Sequence, residues 1–119
     1  MNKILITGAN GFLGSHYVNR LVQNANNFVV ALIRDNDNLL DKRATIIKGD
    51  VTNYSLLCRI LSDYEISYVI HLAANSIVRI CAQDPINAYE SNVMGTVKLL
   101  EAIRQVNMNH IKSIVISTS

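Results

Sequence analysis

The sequence predicts an α/β fold: a Rossmann-type parallel sheet with helices on both faces, incomplete at its C-terminal side. Three observations carry this. Short apolar runs rich in β-branched residues alternate with helical periodicity along the whole chain, the pattern of a parallel sheet joined by right-handed crossovers. The first run, Lys3 to Thr7, leads straight into Gly8, Gly11 and Gly14, spaced Gly-x-x-Gly-x-x-Gly. The second, Phe28 to Ile33, is apolar without a break, as a strand covered on both faces must be. A glycine turn between a strand and a helix suits a strand order of 3-2-1-4-5.

Each element has its own signal. After the glycines, Phe12, Leu13, Tyr17, Val18, Leu21 and Val22 recur at helical spacing, which predicts a helix from Phe12 to Gln23. The asparagine-rich stretch Asn24 to Asn27 ends it, because asparagine tolerates the left-handed conformation at a helix end. Strand two follows at Phe28–Ile33. Arg34 to Asp41 is polar and reads as a loop with a short helix or none. Ala44 to Lys48 is a third strand. A helix from Tyr54 to Asp63 is capped by Thr52 or Asn53. Tyr68 to Leu72 is the fourth strand, closed by the small residues Ala73 and Ala74. Asp84-Pro85 is a strong helix start, an acid at the cap and a proline in the first turn. That helix runs to Val106. Gly95 inside it costs about 1 kcal/mol relative to alanine, which predicts a close packing contact. Ser113 to Ser117 is the fifth strand.

The bulk properties exclude several classes. The chain has 119 residues, 50% of them hydrophobic and 17% charged, enough for one globular domain over residues 1–119. The net charge is +2 with no basic stripe, which suggests neither nucleic acid nor an acidic membrane as partner. The longest apolar run is far too short to span a bilayer. The first strand begins almost at Met1, leaving no room for a signal peptide, so a cytoplasmic protein is expected. Cys58 and Cys81 form no Cys-x-x-Cys pair and read as reduced thiols. No trio of His, Cys and carboxylate has metal-site spacing.

In such sheets ligands bind outside the carboxyl ends of the strands. The glycine turn after strand one is suited to a dinucleotide pyrophosphate. Gly8 permits the turn, Gly11 lets phosphates approach the backbone, and Gly14 lets the helix pack on the strand. The helix start offers free N–H groups and a positive dipole end. After strand two, the usual ribose-binding acid position is Ile33, with Arg34 next. Arginine there accommodates a 2′-phosphate, which favours NADP; Asp35 can still reach a ribose, which keeps NAD as the alternative. After strand three, Asp50 and Val51 flank the adenine, or Asp50 is a turn or helix-capping residue. After strand four, Ala73 and Ala74 let a ribose lie against the backbone. His71 is within the strand and reads as a satisfied core histidine rather than a base. His16 and His110 read as surface or partly buried. A hydroxyl in Ser117-Thr118-Ser119 would face the nicotinamide.

Thr7-Gly8-Ala9-Asn10-Gly11-Phe12-Leu13-Gly14 resembles the Thr-Gly-x-x-Gly-Phe-(Ile/Leu)-Gly signature of extended short-chain dehydrogenases/reductases. Gly49-Asp50-Val51, His71-Leu72-Ala73-Ala74 and Asn92-Val93-Met94-Gly95-Thr96 resemble further blocks of that family in the same order. Within the family the chain is similar to sugar-nucleotide 4,6-dehydratases and epimerases. Asn92 to Val106 resembles the CDP-glucose branch; Arg34 and the Ser-Thr-Ser end resemble GDP-mannose 4,6-dehydratase. The resemblance implies that Gly8, Gly11, Phe12 and Leu13 contact the pyrophosphate, that Asp50 and Val51 hold the adenine, and that Ala73 and Ala74 line the cofactor. It implies that Asn92 lies on the helix beneath the site and that Thr118 is the catalytic hydroxyl. It also implies hydride transfer at sugar C4, a nucleotide-sugar substrate and a homodimer in the full-length enzyme, which would be a lyase or an isomerase.

One departure matters. The family's Tyr-x-x-x-Lys pair has no counterpart, since no tyrosine here has a lysine four residues on. The expectation is therefore the N-terminal portion of such an enzyme, not competent for turnover alone. The alternative is a non-enzymatic dinucleotide-binding or regulatory module.

Overall fold

The computed structural model describes residues 1–9, 12–34, 40–72, 85–106 and 111–115. Five strands are present: β1 (Asn2–Thr7), β2 (Asn27–Ile33), β3 (Thr45–Lys48), β4 (Tyr68–His71) and β5 (Lys112–Val115). The helices are α1 (Phe12–Leu21), α2 (Tyr54–Asp63) and α3 (Pro85–Val106). The strands form one sheet in the order β3-β2-β1-β4-β5, and every pairing is parallel. This is the predicted order.

Alternation along each strand sorts the side chains onto two faces. Leu5, Val30, Leu32 and Val69 point to one face and pack with Leu57, Ile60 and Leu61 of α2 and Leu99 and Ala102 of α3. Ile4, Ile6, Val29, Ala31 and Ile33 point to the other and meet Val18 of α1 and Val22 just beyond it. The core is thus two apolar layers around a sheet buried on both sides. Truncating one such leucine to alanine costs about 2–5 kcal/mol.

Several boundaries differ from the sequence expectation. The first helix stops at Leu21, not Gln23, because Gln23 N–H and Asn24 N–H bond three residues back, to Arg20 and Leu21; the last turn tightens instead of continuing. Strand two starts one residue early because Asn27 pairs with Asn2. Strand three starts at Thr45, after a turn in which Ala44 N–H bonds Asp41 O at 3.1 Å. Strand four ends at His71, opposite Thr7, the last residue of β1; Leu72 N–H still bonds Thr7 O at 3.2 Å and also Thr7 Oγ1 at 3.0 Å. Strand five begins at Lys112 and is described to Val115; the expected Ile116 and Ser117 lie outside the described residues, as does most of the Arg34–Asp41 loop.

Two caps are defined by side chains and backbone. Asn53, not Thr52, caps α2, with its Oδ1 accepting from Leu56 N–H at 3.2 Å. At the other end, Glu65 N–H bonds Ser62 O and Ile66 N–H bonds Leu61 O, both at 3.2 Å. This is a Schellman turn, with Glu65 in the left-handed region at φ 51.

Candidate functional site

The glycine turn sits at the carboxyl end of β1. Gly8 has φ 66, a conformation in which a β-carbon is costly. Ala9 is fully buried and donates to Leu32 O at 3.4 Å. α1 begins at Phe12 and has no acidic residue in its first turn, so its own first turn supplies no carboxylate to the positive end of its dipole. A β-carbon on Gly14 would overlap the Gly8 carbonyl oxygen and lie 2.8 Å from Ala9 Cα. The first turn of α1 therefore rests directly on the turn, as expected for the third glycine. Leu13 is half-buried in that first turn. Gly11 lies outside the described residues.

The register brings the other strand ends alongside. Thr7 pairs with Leu32 of β2 and with His71 of β4. Beyond β2, Arg34 is exposed, and its Nε lies 3.8 Å from Asp50 Oδ2. With the two side chains 63% and 46% exposed, this pair contributes little to stability. Asp35 lies outside the described residues.

Of the two roles weighed for Asp50, the turn is the one seen in the contacts of its oxygens. Oδ1 accepts from Thr52 N–H at 2.9 Å and from Thr52 Oγ1 at 2.8 Å, an Asx turn that leads into the α2 cap. Oδ2 faces Arg34. The backbone hydrogen bond from Thr52 is the chief cause that holds the Asp50 carboxyl below its ordinary pKa, with the Thr52 hydroxyl and the Arg34 charge adding to it against partial burial. Val51 is buried, and Gly95 of α3 packs on it.

His71 is a core histidine, as read from the sequence. It is 2% exposed. Its Nδ1 lies 2.7 Å from Thr7 Oγ1 and its Nε2 lies 3.0 Å from Thr96 Oγ1. Burial lowers its pKa. Thr7 and Thr96 are the residues that reading by motif left without a role. A hydroxyl at the last position of a buried strand, and another next to a helical glycine, were the available signals.

The remaining candidates are not brought together in the described structure. Ala73, Ala74 and Thr118 lie outside it, as do Cys81 and His110, and Asn92 is placed on α3 by its backbone alone. Cys58 is a free, half-buried thiol. His16 is exposed, edge-on to Tyr17 at 6.4 Å between ring centres. Among the described residues no group of three or more potential ligands could hold a metal, and no helix is long and apolar enough to cross a membrane. An open groove of about 510 Å³, lined by Asn2, Ile4, Leu21, Tyr68 and Lys112 among others, lies at the amino ends of the strands, opposite the glycine turn.

Residues 5–119 match the GDP-mannose 4,6 dehydratase family. A UDP-glucose 4-epimerase from Klebsiella pneumoniae is 32% identical over 126 residues, covering 98% of this chain and 88% of that one. The fold superposes on the UDP-glucose 4-epimerase of Thermotoga maritima, solved with UDP-glucose, with a TM-score of 0.84 and 28% identity over 95% of this chain and 37% of that one. It superposes on the dTDP-glucose 4,6-dehydratase of Bacillus anthracis, solved with NAD, with a TM-score of 0.82 and 26% identity over 99% of this chain and 38% of that one. Other epimerases of this fold were also solved with NAD. The chain spans about a third of the length of other curated relatives, 34% and 35% in two UDP-glucose 4-epimerases. The chain belongs to the GDP-mannose 4,6-dehydratase family, among the extended short-chain dehydrogenases/reductases that act as sugar-nucleotide epimerases and dehydratases.

Proposed function

We propose that this chain is the nicotinamide-dinucleotide-binding part of a nucleotide-sugar 4,6-dehydratase or 4-epimerase. The observation that carries the reading is the glycine turn: left-handed at Gly8 and roofed by a helix whose Gly14 leaves no room for a β-carbon and whose first turn carries no acidic residue. Such a cradle fits a pyrophosphate, because backbone N–H groups and the helix dipole both favour an anion there.

In this reading Gly8, Gly11, Phe12, Leu13 and Gly14 hold the pyrophosphate. Arg34 and Asp35 lie at the adenosine ribose. Val51 packs on the adenine, and Asp50 accepts from its amino group through Oδ2, since Oδ1 is taken by Thr52. Ala73 and Ala74 line the inner ribose, Asn92 belongs to the helix beneath it, and the Thr118 hydroxyl bonds the sugar oxygen that reacts. The nicotinamide, when bound, supplies a reversible acceptor for hydride from sugar C4. The family's Tyr-x-x-x-Lys pair has no counterpart in these 119 residues, so the role proposed for them is binding and orientation.

Exposed Arg34, only loosely paired with Asp50, supports NADP, because a guanidinium at the end of β2 suits a 2′-phosphate. The NAD held by several solved relatives supports NAD. A homodimer is part of the same proposal. Ile86, Met94, Val97 and Leu100 leave α3 with exposed apolar side chains, suited to pairing with another helix.

The test is titration of the chain with NADPH and NADH separately, followed by calorimetry. Saturable binding of either supports the proposal. A folded chain that binds neither overturns it.

A further inference from the structure

Thr7, His71 and Thr96 come from three elements and form one hydrogen-bonded chain. Thr7 is fully buried and His71 is 2% exposed. Thr7 Oγ1 accepts from Leu72 N–H at 3.0 Å, a hydrogen that the Thr7 carbonyl oxygen also accepts at 3.2 Å. Its own hydrogen also needs an acceptor, because an unpaired hydroxyl away from water is costly. His71 Nδ1, at 2.7 Å, is the acceptor placed there. Thr7 therefore donates to Nδ1, and the ring proton resides on Nε2, which donates to Thr96 Oγ1 at 3.0 Å. The alternative tautomer would leave the threonine hydrogen without an acceptor among the described residues.

Each member of this chain adjoins a segment assigned to the cofactor. Thr7 precedes left-handed Gly8. His71 and Leu72 precede Ala73 and Ala74. Thr96 follows Gly95, which packs on Val51. We infer that His71 is a positioning residue for dinucleotide binding: an Nε2-protonated, neutral imidazole that locks the glycine turn, the exit of β4 and α3 into the single arrangement that accepts the pyrophosphate. This inference rests on the dinucleotide-binding reading above. It adds a residue that need not touch the ligand.

Two measurements test it. Long-range ¹H–¹⁵N spectra of the unliganded wild-type chain should show His71 with a protonated Nε2 and an unprotonated Nδ1. This needs no variant, so it stands even where a substitution prevents folding. A protonated Nδ1, or a mixture of tautomers, overturns the inference. Calorimetric titration then compares wild type, Thr96→Val and Thr96→Ser with whichever of NADH and NADPH the wild type binds more tightly. If Thr96→Val leaves a tenth of the molecules in the competent arrangement, affinity falls about tenfold; Thr96→Ser keeps the hydroxyl and should stay within about twofold of wild type by the same relation. A role confined to stability would lower the unfolding midpoint in Thr96→Val and leave affinity unchanged, which sinks the inference alone. A wild-type chain that binds neither dinucleotide sinks the functional reading and this inference with it.

Discussion

Gly95 of α3 packs against Val51 so closely that a β-carbon at Gly95 would lie 2.8 Å from Val51 Cγ1. Val51 is 3% exposed, at the turn between β3 and α2. The contact lets a 22-residue helix set the position of a residue assigned to the adenine. Gly95→Ala should destabilise the chain by about 1–3 kcal/mol through overpacking, despite alanine's better helix propensity. Val51→Ala made alongside should restore part of that loss. A double-mutant cycle by urea denaturation checks this, with a coupling of at least about 0.5 kcal/mol expected for touching residues. Additive effects would mean that the two do not press on each other.

Gly14→Ala meets backbone rather than a flexible side chain. Its β-carbon would overlap the Gly8 carbonyl oxygen, so α1 must move away from the turn. A loss of about 1–3 kcal/mol is expected, together with weaker dinucleotide binding. Unfolding and titration of the same preparation check both, and a variant as stable and as tight-binding as wild type would contradict the close approach.

Arg34→Ala separates the two cofactors. The side chain is exposed and loosely paired with Asp50, so stability should change by no more than about 0.5 kcal/mol. If the guanidinium receives a 2′-phosphate, NADPH affinity should fall about tenfold or more while NADH affinity holds, the scale of a lost charge-assisted hydrogen bond. Wild-type chain that prefers NADH would shift the assignment to Asp35.

Glu65→Gly should stabilise the chain. Glu65 occupies the left-handed position of a Schellman turn at φ 51, where glycine has no β-carbon to strain, for a gain of about 1 kcal/mol. Its ion pair to Lys3, at 3.9 Å with the glutamate side chain 74% exposed, is too exposed to offset this. The denaturation midpoint decides; a drop would show that Lys3 or the unfolded chain's entropy matters more.

Burial lowers the His71 pKa below its ordinary 6.5. The unfolded chain then takes up a proton near that value while the folded chain resists it. Stability contributed by the neutral ring is present above about pH 6.5 and is lost as pH falls toward the folded-state pKa, by at most about 1.4 kcal/mol per pH unit. Asp50 acts in a lower window. Its carboxyl is held below its ordinary 3.8, so its contribution is present above that value and lost beneath it. Denaturation series from about pH 8 to pH 5 should slope in wild type and flatten in His71→Gln. Equal slopes would assign the effect to another group.

Much of the fold was legible from local pattern. The unbroken apolar run of β2, the Pro85 start of α3 and the left-handed Gly8 after β1 each state a local preference that the tertiary structure keeps; Asp84 lies outside the described residues. Boundaries were less legible where a partner strand decides them. β4 ends at His71, opposite Thr7, the last residue of β1 and 64 residues away, and no local feature reports that. Glu65 shows the opposite failure. A left-handed helix end usually announces itself as glycine or asparagine, and here it is a glutamate.

By itself the sequence determined the alternation of elements, the parallel order, and the glycine turn with its close-packed helix, because periodicity and missing side chains act within a few residues. Only the tertiary structure decided which oxygen of Asp50 is taken, what Gly95 makes room for, and that Thr7, His71 and Thr96 are one hydrogen-bonded unit. Those facts depend on which distant groups share a buried space. Hydrogen-bond demand away from water is settled by all the neighbours at once, after the sheet and helices have come together.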